Sequence, residues 1–242
     1  MKNVFLIGAM KSGTSSLYHA LAKHPQVATP KKKELDYFVK PGQHTTYSSH
    51  FNITTDTSLT LDGTTQYSKY PQFRHIVESI FFMNPHALFI YLMRDPVDRF
   101  ESNIAHHIAR NEGIDPASWR DSKKTQSALA YGQYYMQIGP YINRFGPHRV
   151  FLGAFEDFIS DQTAFIRRVC QFLDLDMNDM ELDGARKNPR RSTNNADKFA
   201  LNSDDEKKLV REIQPDIDCL QLTSNLDLEA WWPRYRCVRD HV

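Results

Sequence analysis

The chain has 242 residues, 40% of them hydrophobic and 24% charged, with a formal net charge of +1. That length can bury a full core, and one domain over residues 1–242 is the simplest organisation. A near-zero net charge removes the global reason to expect nucleic acid or an anionic membrane as partner.

The first predicted element is a short apolar run, Val4 to Ile7, ending in a turn that carries Gly8, Lys11, Ser12, Gly13 and Thr14. A helical pattern starts at once, with Leu17, Ala20 and Leu21 on one face, and predicts a helix over Thr14–Lys23. Strand, tight loop and helix start make a phosphate cradle. The first N–H groups of a helix lack intrahelical partners and can bind an anion. Glycines let the backbone approach it closely. Lys11 adds a full charge, and Thr14 and Ser15 add hydroxyl donors. A Walker-A loop places its lysine after the second glycine. Here Lys11 precedes Gly13, and Thr14 takes the slot where a nucleotide kinase has lysine. That order argues against an ordinary ATPase or kinase while keeping a nucleotide-phosphate site. A plain strand–turn–helix connection with a solvated lysine is the alternative for this segment alone.

Further strands are expected near Val27–Thr29 and at Leu59–Leu61, Ala87–Met93 and Val150–Ala154. Helices are expected over Gln72–Met83, Val97–Arg110, Ser127–Phe145, Gln162–Leu173, Asp204–Gln214 and around Ile217–Leu226. The two most apolar strands, Val4–Ile7 and Ala87–Met93, do not alternate, which suits central parallel strands buried on both faces. The pattern predicts an α/β, single-domain, P-loop-like fold with a central, mainly parallel sheet flanked by helices. Ligands of such sheets sit at the carboxyl ends of the strands. Residues 40–58 and 177–203 are polar and irregular, more like active-site loops or lids than linkers. Cys170, Cys219 and Cys237 are few and far apart, with no metal or disulfide spacing, so a reducing cytoplasm is expected. No apolar run nears the roughly 20 residues that span a bilayer, and a strand entered by residue 4 leaves no room for a signal peptide.

The segment from Leu88 to Pro96 supplies a second anion site. An apolar strand ends at Arg94, so the guanidinium emerges at the ligand-binding edge. Asp95 can cap the next helix and Pro96 suits its first turn. Ser102 follows two turns on. An arginine fork plus a hydroxyl is a good pair for one phosphate. The structural alternative pairs Arg94 with Asp95 or Asp98 and leaves Ser102 merely exposed.

Together the two sites resemble the PAPS-dependent sulfotransferases, where PAPS is 3′-phosphoadenosine 5′-phosphosulfate. That family binds the 5′-phosphosulfate with a K-x-G-T loop and the 3′-phosphate with R-D-P-x-x-R-x-x-S. This chain has Lys11-Ser-Gly-Thr14 and Arg94-Asp-Pro-Val-Asp-Arg99-Phe-Glu-Ser102. A 3′-phosphate explains why one nucleotide needs two separate cradles. Lys33-Glu34-Leu-Asp-Tyr37-Phe38 looks like the K-E-x-x-F-F segment of the glycan and heparan sulfate branch. Gly63 to Pro71 looks like that branch's T-P-x-Y-x-x-x-P segment, and Phe145 to Phe158 like its strand ending in E-D. The likeness covers most of residues 3–175.

The resemblance implies transfer of a sulfuryl group from PAPS to a hydroxyl, less readily an amine, of a small-molecule or glycan-like acceptor, leaving 3′,5′-ADP. It implies no metal. Lys11, Ser12, Gly13, Thr14, Ser15 and Ser16 would hold the 5′-phosphosulfate, and Arg94 and Ser102 the 3′-phosphate. Glu34 is the expected general base, with histidines such as His19, His24, His106 and His107 as rivals. Lys33, Tyr67 and Tyr70 are expected at the acceptor. The chain departs from the branch at Gly63 and Thr65, where lysine and proline are usual. Its glycine-rich C-terminal loop is replaced by a basic stretch whose Arg190 or Arg191 could close over the nucleotide. Trp231-Trp232-Pro233 should dock the terminus onto the core, and the Tyr131–Tyr135 cluster should pack a helix. Two rivals stay open: a P-loop kinase or nucleotide phosphotransferase, and a non-catalytic nucleotide-binding module of the same fold.

Overall fold

A computed structural model describes residues 1–40, 46–177, 199–224, 226–231 and 233–235. Five strands form one sheet: β1 (Lys2–Gly8), β2 (Val27–Ala28), β3 (Leu59–Asp62), β4 (Leu88–Met93) and β5 (Val150–Ala154). Their order is β2-β3-β1-β4-β5, and every pairing is parallel. The central position of β1 follows from its sequence. Val4, Phe5, Leu6 and Ile7 are all fully buried, so both faces of the strand must be covered.

Alternate residues feed two separate cores, as the period of two requires. Phe5, Ile7, Phe89, Tyr91 and Met93 face one core. It is closed by helices α2 (Ile76–Met83), α3 (Pro96–Ala109), α5 (Tyr134–Phe145) and α8 (Ser203–Thr223). Val4, Leu6, Ile90 and Leu92 face the other, closed by α1 (Thr14–Leu21), α6 (Phe155–Ser160) and α7 (Gln162–Leu173). Each large apolar side chain so buried contributes about 1.5–3 kcal/mol. One further helix, α4 (Lys123–Ala130), packs beside α3. No helix among the described residues is long and apolar enough to cross a membrane.

Three expectations are corrected. The single helix expected over Ser127–Phe145 is two, α4 and α5, broken at residues 131–133. The break is stabilised from outside. Fully buried Arg99 donates to the Ala128 carbonyl near the end of α4. Asp216 of α8 accepts from the Tyr135 and Met136 N–H groups at 2.8 and 2.9 Å, satisfying the start of α5. The helices expected over Asp204–Gln214 and Ile217–Leu226 are instead one, α8, which runs through Pro215. Ile213, Ile217 and Leu220 lie on its buried face, and their packing outweighs the hydrogen bond that proline removes. Finally, α6 was not anticipated: six residues are too few to show a helical period.

Candidate functional site

The carboxyl ends of β1, β3 and β4 open onto one cavity of about 790 Å³. Its wall is assembled from four stretches of chain. From the loop after β1 come Lys11, Gly13, Thr14 and Ser15; from the segment after β2, Lys33 and Glu34; from the turn after β3, Thr65, Gln66 and Lys69. The fourth stretch runs from Ser102 on α3 to Glu112 just past its end.

The loop after β1 is held open for an anion by its backbone. Lys11 and Gly13 both sit in the left-handed region, with φ of 72° and 82°. Glycine adopts that conformation freely, whereas lysine does so at a cost. A Cβ on Gly13 would also lie 2.6 Å from the Phe155 ring. Gly13 caps α1 without any side-chain acceptor, so the first N–H groups of the helix are left for a ligand. At the root of the loop, a Cβ on Gly8 would stand 2.3 Å from the Tyr91 ring, so β1 can pass over β4 only as glycine.

Glu34 is fixed by the turn after β3. Its Oε1 accepts from the Thr65 hydroxyl at 3.1 Å and faces the Lys33 ammonium at 3.7 Å. Three more hydrogen bonds join the same two segments: Gly63 N–H to the Lys33 carbonyl, Asp36 N–H to Thr64 Oγ1, and Gln66 Nε2 to Asp36 Oδ1, all at 3.1 Å. Below them, buried Asp62 accepts from the Thr64 N–H at 3.1 Å, the Thr64 hydroxyl at 2.6 Å and the Tyr67 hydroxyl at 2.9 Å. Burial raises the Asp62 carboxyl to about 6, against the pull of those bonds.

Lys33 links the acid to the phosphate loop, since its ammonium also reaches the Thr14 hydroxyl at 3.4 Å. Burial lowers its pKa, with Glu34 opposing. The Gly63 departure has a physical reason here: a Cβ at 63 would lie 3.0 Å from Lys33 Cγ and 2.7 Å from the Tyr18 ring. The Lys33 stem occupies the space that a side chain at 63 would need.

The Arg94 turn is built from capping chemistry. Asp95 accepts from the Val97 and Asp98 N–H groups at 2.9 and 3.0 Å, with Pro96 in the first turn. Arg94 lies 3.5 Å from Asp98 and over the Phe155 ring, 5.4 Å from its centroid. Phe155 therefore touches both anion motifs, Gly13 on one side and Arg94 on the other. Ser102 lines the cavity, and Arg94 is not among the residues that do. The C-terminal segment locks this turn. Arg234 donates to Asp95 at 2.9 Å, Asp98 at 2.7 Å and Glu206 at 2.9 Å. Glu156 accepts from the Asp95 N–H and from the Trp231 indole, at 3.0 and 2.9 Å.

The structure thus gathers Lys11, Gly13, Thr14, Ser15, Lys33, Glu34 and Ser102 around one cavity. Other expectations are corrected. Ser12 is fully buried, with its N–H on the Ala9 carbonyl, so its side chain faces the protein and not a ligand. Ser16 is not among the residues lining the cavity, and its N–H closes the first turn on Gly13. Tyr67 is 2% exposed and its hydroxyl is committed to Asp62. The Tyr70 backbone is held by Gln137 at 2.8 and 3.0 Å, and its ring is not on the wall. Of the rival histidines, His24 is buried against the Asp176 carbonyl. His106 and His107 do line the cavity; burial and the Lys11 charge lower the pKa of His106. Trp231 docks onto the core beside Tyr134. Arg190, Arg191 and Trp232 lie outside the described residues.

Sequence reasoning missed Thr65, Lys69, Arg110, Glu112 and Phe155. Thr65 carried a signal as the departure from proline: its hydroxyl donates to Glu34, which proline cannot do.

A parallel sheet flanked by helices, with a glycine loop at the tip of its central strand and a fixed carboxylate on the same cavity, is a P-loop-like arrangement. The sulfotransferase domain family matches residues 1–212, and the chain belongs to that family. A sulfotransferase from Alicyclobacillus acidocaldarius superposes with a TM-score of 0.76, covering 96% of this chain and 98% of its own at 24% identity. The sulfotransferase domain of the curacin biosynthetic pathway gives 0.56 at 16% identity, over 73% and 75% of the two chains. In sequence, the chain is 36% identical over 104 residues to the membrane-associated sulfotransferase kil1 of Dictyostelium discoideum. That match takes in 41% of this chain but only 21% of the relative.

Proposed function

We propose that this chain transfers a sulfuryl group from PAPS to the hydroxyl of a small-molecule or glycan-like acceptor, within one domain. The observation that carries the reading is the linkage Thr14–Lys33–Glu34–Thr65, which ties the phosphate loop to a positioned carboxylate on one cavity wall. In this reading the acceptor oxygen loses its proton to Glu34 and forms a bond to sulfur. The bond between sulfur and the 5′-phosphate oxygen breaks, and its electron pair leaves with 3′,5′-ADP. Lys11 and the first N–H groups of α1 stabilise the charge that builds on that phosphate. Positioned side chains of this kind replace the metal that phosphoryl transfer uses. Ser102 holds the 3′-phosphate, with Arg94 turning from Asp98 toward it, and Arg190 or Arg191 closes over the nucleotide. The scattered cysteines favour a cytoplasmic setting, although the Dictyostelium relative is named as membrane-associated.

The test is calorimetric titration with 3′,5′-ADP, with 5′-ADP as control, without metal and then with Mg²⁺. The expected result is tight, metal-independent binding of 3′,5′-ADP alone. Equal or Mg²⁺-dependent binding of 5′-ADP would support a kinase instead, and no binding of either would leave a non-catalytic scaffold.

A further inference from the structure

The charges on the cavity wall do not cancel evenly. Glu112 is satisfied locally: it accepts from His107 at 2.7 Å and faces Lys124 at 3.4 Å and Arg110 at 3.7 Å. Glu34 is held by Thr65 and Lys33. Asp36, just behind the wall, is engaged by Gln66. Lys69 differs from all of these. It lines the cavity, yet among the described residues no carboxylate lies within 4.0 Å of its ammonium. Its ammonium lies over the Tyr131 ring, 5.2 Å from nitrogen to centroid. Burial lowers its pKa, and Glu34 and Asp36 oppose that only through space. A partly desolvated ammonium without a paired anion is unfavourable unless a ligand supplies one.

The neighbours of Lys69 also say which ligand. Lys69 stands on the turn after β3 with Thr65, whose hydroxyl holds Glu34, and its ammonium lies over the Tyr131 ring. Lys11 stands instead on the loop after β1. Lys69 therefore belongs to the side of the cavity where the acceptor must sit if Glu34 takes its proton.

We propose that the acceptor carries an anionic group, a carboxylate or a sulfate ester, close to the reacting hydroxyl, and that Lys69 binds that group against the Tyr131 ring. The inference rests on the sulfuryl-transfer reading and narrows its substrate class.

The test uses protein saturated with 3′,5′-ADP, so that the phosphate cradles are filled. Two probes differing in one charge are titrated by calorimetry: p-nitrophenyl β-glucuronide and p-nitrophenyl β-glucoside. The glucuronide should bind about tenfold tighter, the scale of one charge-assisted hydrogen bond. Lys69→Gln should erase that preference, and Lys69→Arg should keep most of it. Affinity for 3′,5′-ADP should be unchanged in both variants. Phenyl sulfate against phenol, run the same way, separates a sulfate preference from a carboxylate one. Equal binding of charged and neutral probes in both pairs, or no binding of any, would overturn the proposal while leaving the nucleotide reading standing. A loss of 3′,5′-ADP affinity in Lys69→Gln would overturn it too, by assigning Lys69 to the nucleotide. Failure of the unmodified protein to bind 3′,5′-ADP at all would instead bring down the parent reading.

Discussion

The loop after β1 and the Glu34 turn, two ends of one cavity, are built from different material. Around Lys11 to Ser15 the working groups are mostly backbone: two left-handed residues, an uncapped helix start and a glycine pressed on Phe155. Around Glu34 they are side chains from separate segments, held by bonds such as Thr65 to Glu34 and Gln66 to Asp36. Each end rests on a buried aspartate, but the two are supported in opposite ways. Asp95 sits under the Arg94 turn and is met by the Arg234 cation at 2.9 Å. Asp62 sits under the Glu34 turn, wrapped by hydroxyls and an N–H, with no cation within ion-pair distance among the described residues. A backbone cradle depends first on its glycines. A side-chain cradle depends on each member.

The comparison can be broken at either end. The largest effect is expected from Lys11→Ala, with transfer from PAPS reduced by about 10³-fold, because the proposed mechanism loses the charge that stabilises the leaving phosphate. Release of 3′,5′-ADP from PAPS measures it; a residual rate near normal would mean that the backbone alone suffices. Glu34→Gln should lower kcat by about 10²-fold, within the span of a positioned base, and leave 3′,5′-ADP affinity intact. An unchanged kcat would move the base to another group, with His106 or His107 next in line. Arg94→Ala should weaken 3′,5′-ADP by about tenfold or more and leave 5′-ADP alone. Equal loss for both nucleotides would remove Arg94 from the 3′-phosphate.

The two aspartate supports sharpen the contrast further. The folded-state pKa of Asp62, about 6, exceeds that of an unfolded aspartate near 3.9. The folded protein therefore holds the extra proton between those values. Its stabilising share is complete below about pH 4 and is lost as pH rises through about 6. Asp216, raised by burial to about 6, acts with the same sign. Asp62→Asn should flatten, but not abolish, the fall in urea midpoint between pH 4 and 6. An identical slope would show that Asp62 does not titrate there. The smallest effect is expected from Arg234→Ala, about 1 kcal/mol after solvent screening of a partly exposed cation. It should appear as a few-fold weaker affinity for 3′,5′-ADP, rescued in part by Lys. No change in affinity would make the C-terminal segment a simple cover.

What the sequence determined by itself was whatever depends on neighbours along the chain. The buried run Val4–Ile7, the Lys11–Thr14 loop and the Asp95-Pro96 cap are local, and each stands where it was expected. Glu34 was legible through its motif, and Ser102 through its spacing from Arg94. The rest required contacts between distant segments. No local pattern shows that Asp216 would accept from Tyr135 and so split one expected helix into two. Packing of Ile213, Ile217 and Leu220 carried α8 through a proline that reads as a stop. Tyr67 follows a strand end and so reads as a pocket residue, yet the buried Asp62 five residues earlier draws its hydroxyl inward. Lys69 reads as one more surface lysine; only the tertiary structure set it on the cavity wall with no carboxylate in reach. Chain geometry is decided by short-range sterics and hydrogen bonding, which sequence records. The partner of a buried charge or hydroxyl is decided by which segments the core brings together, and that is settled only when the chain folds.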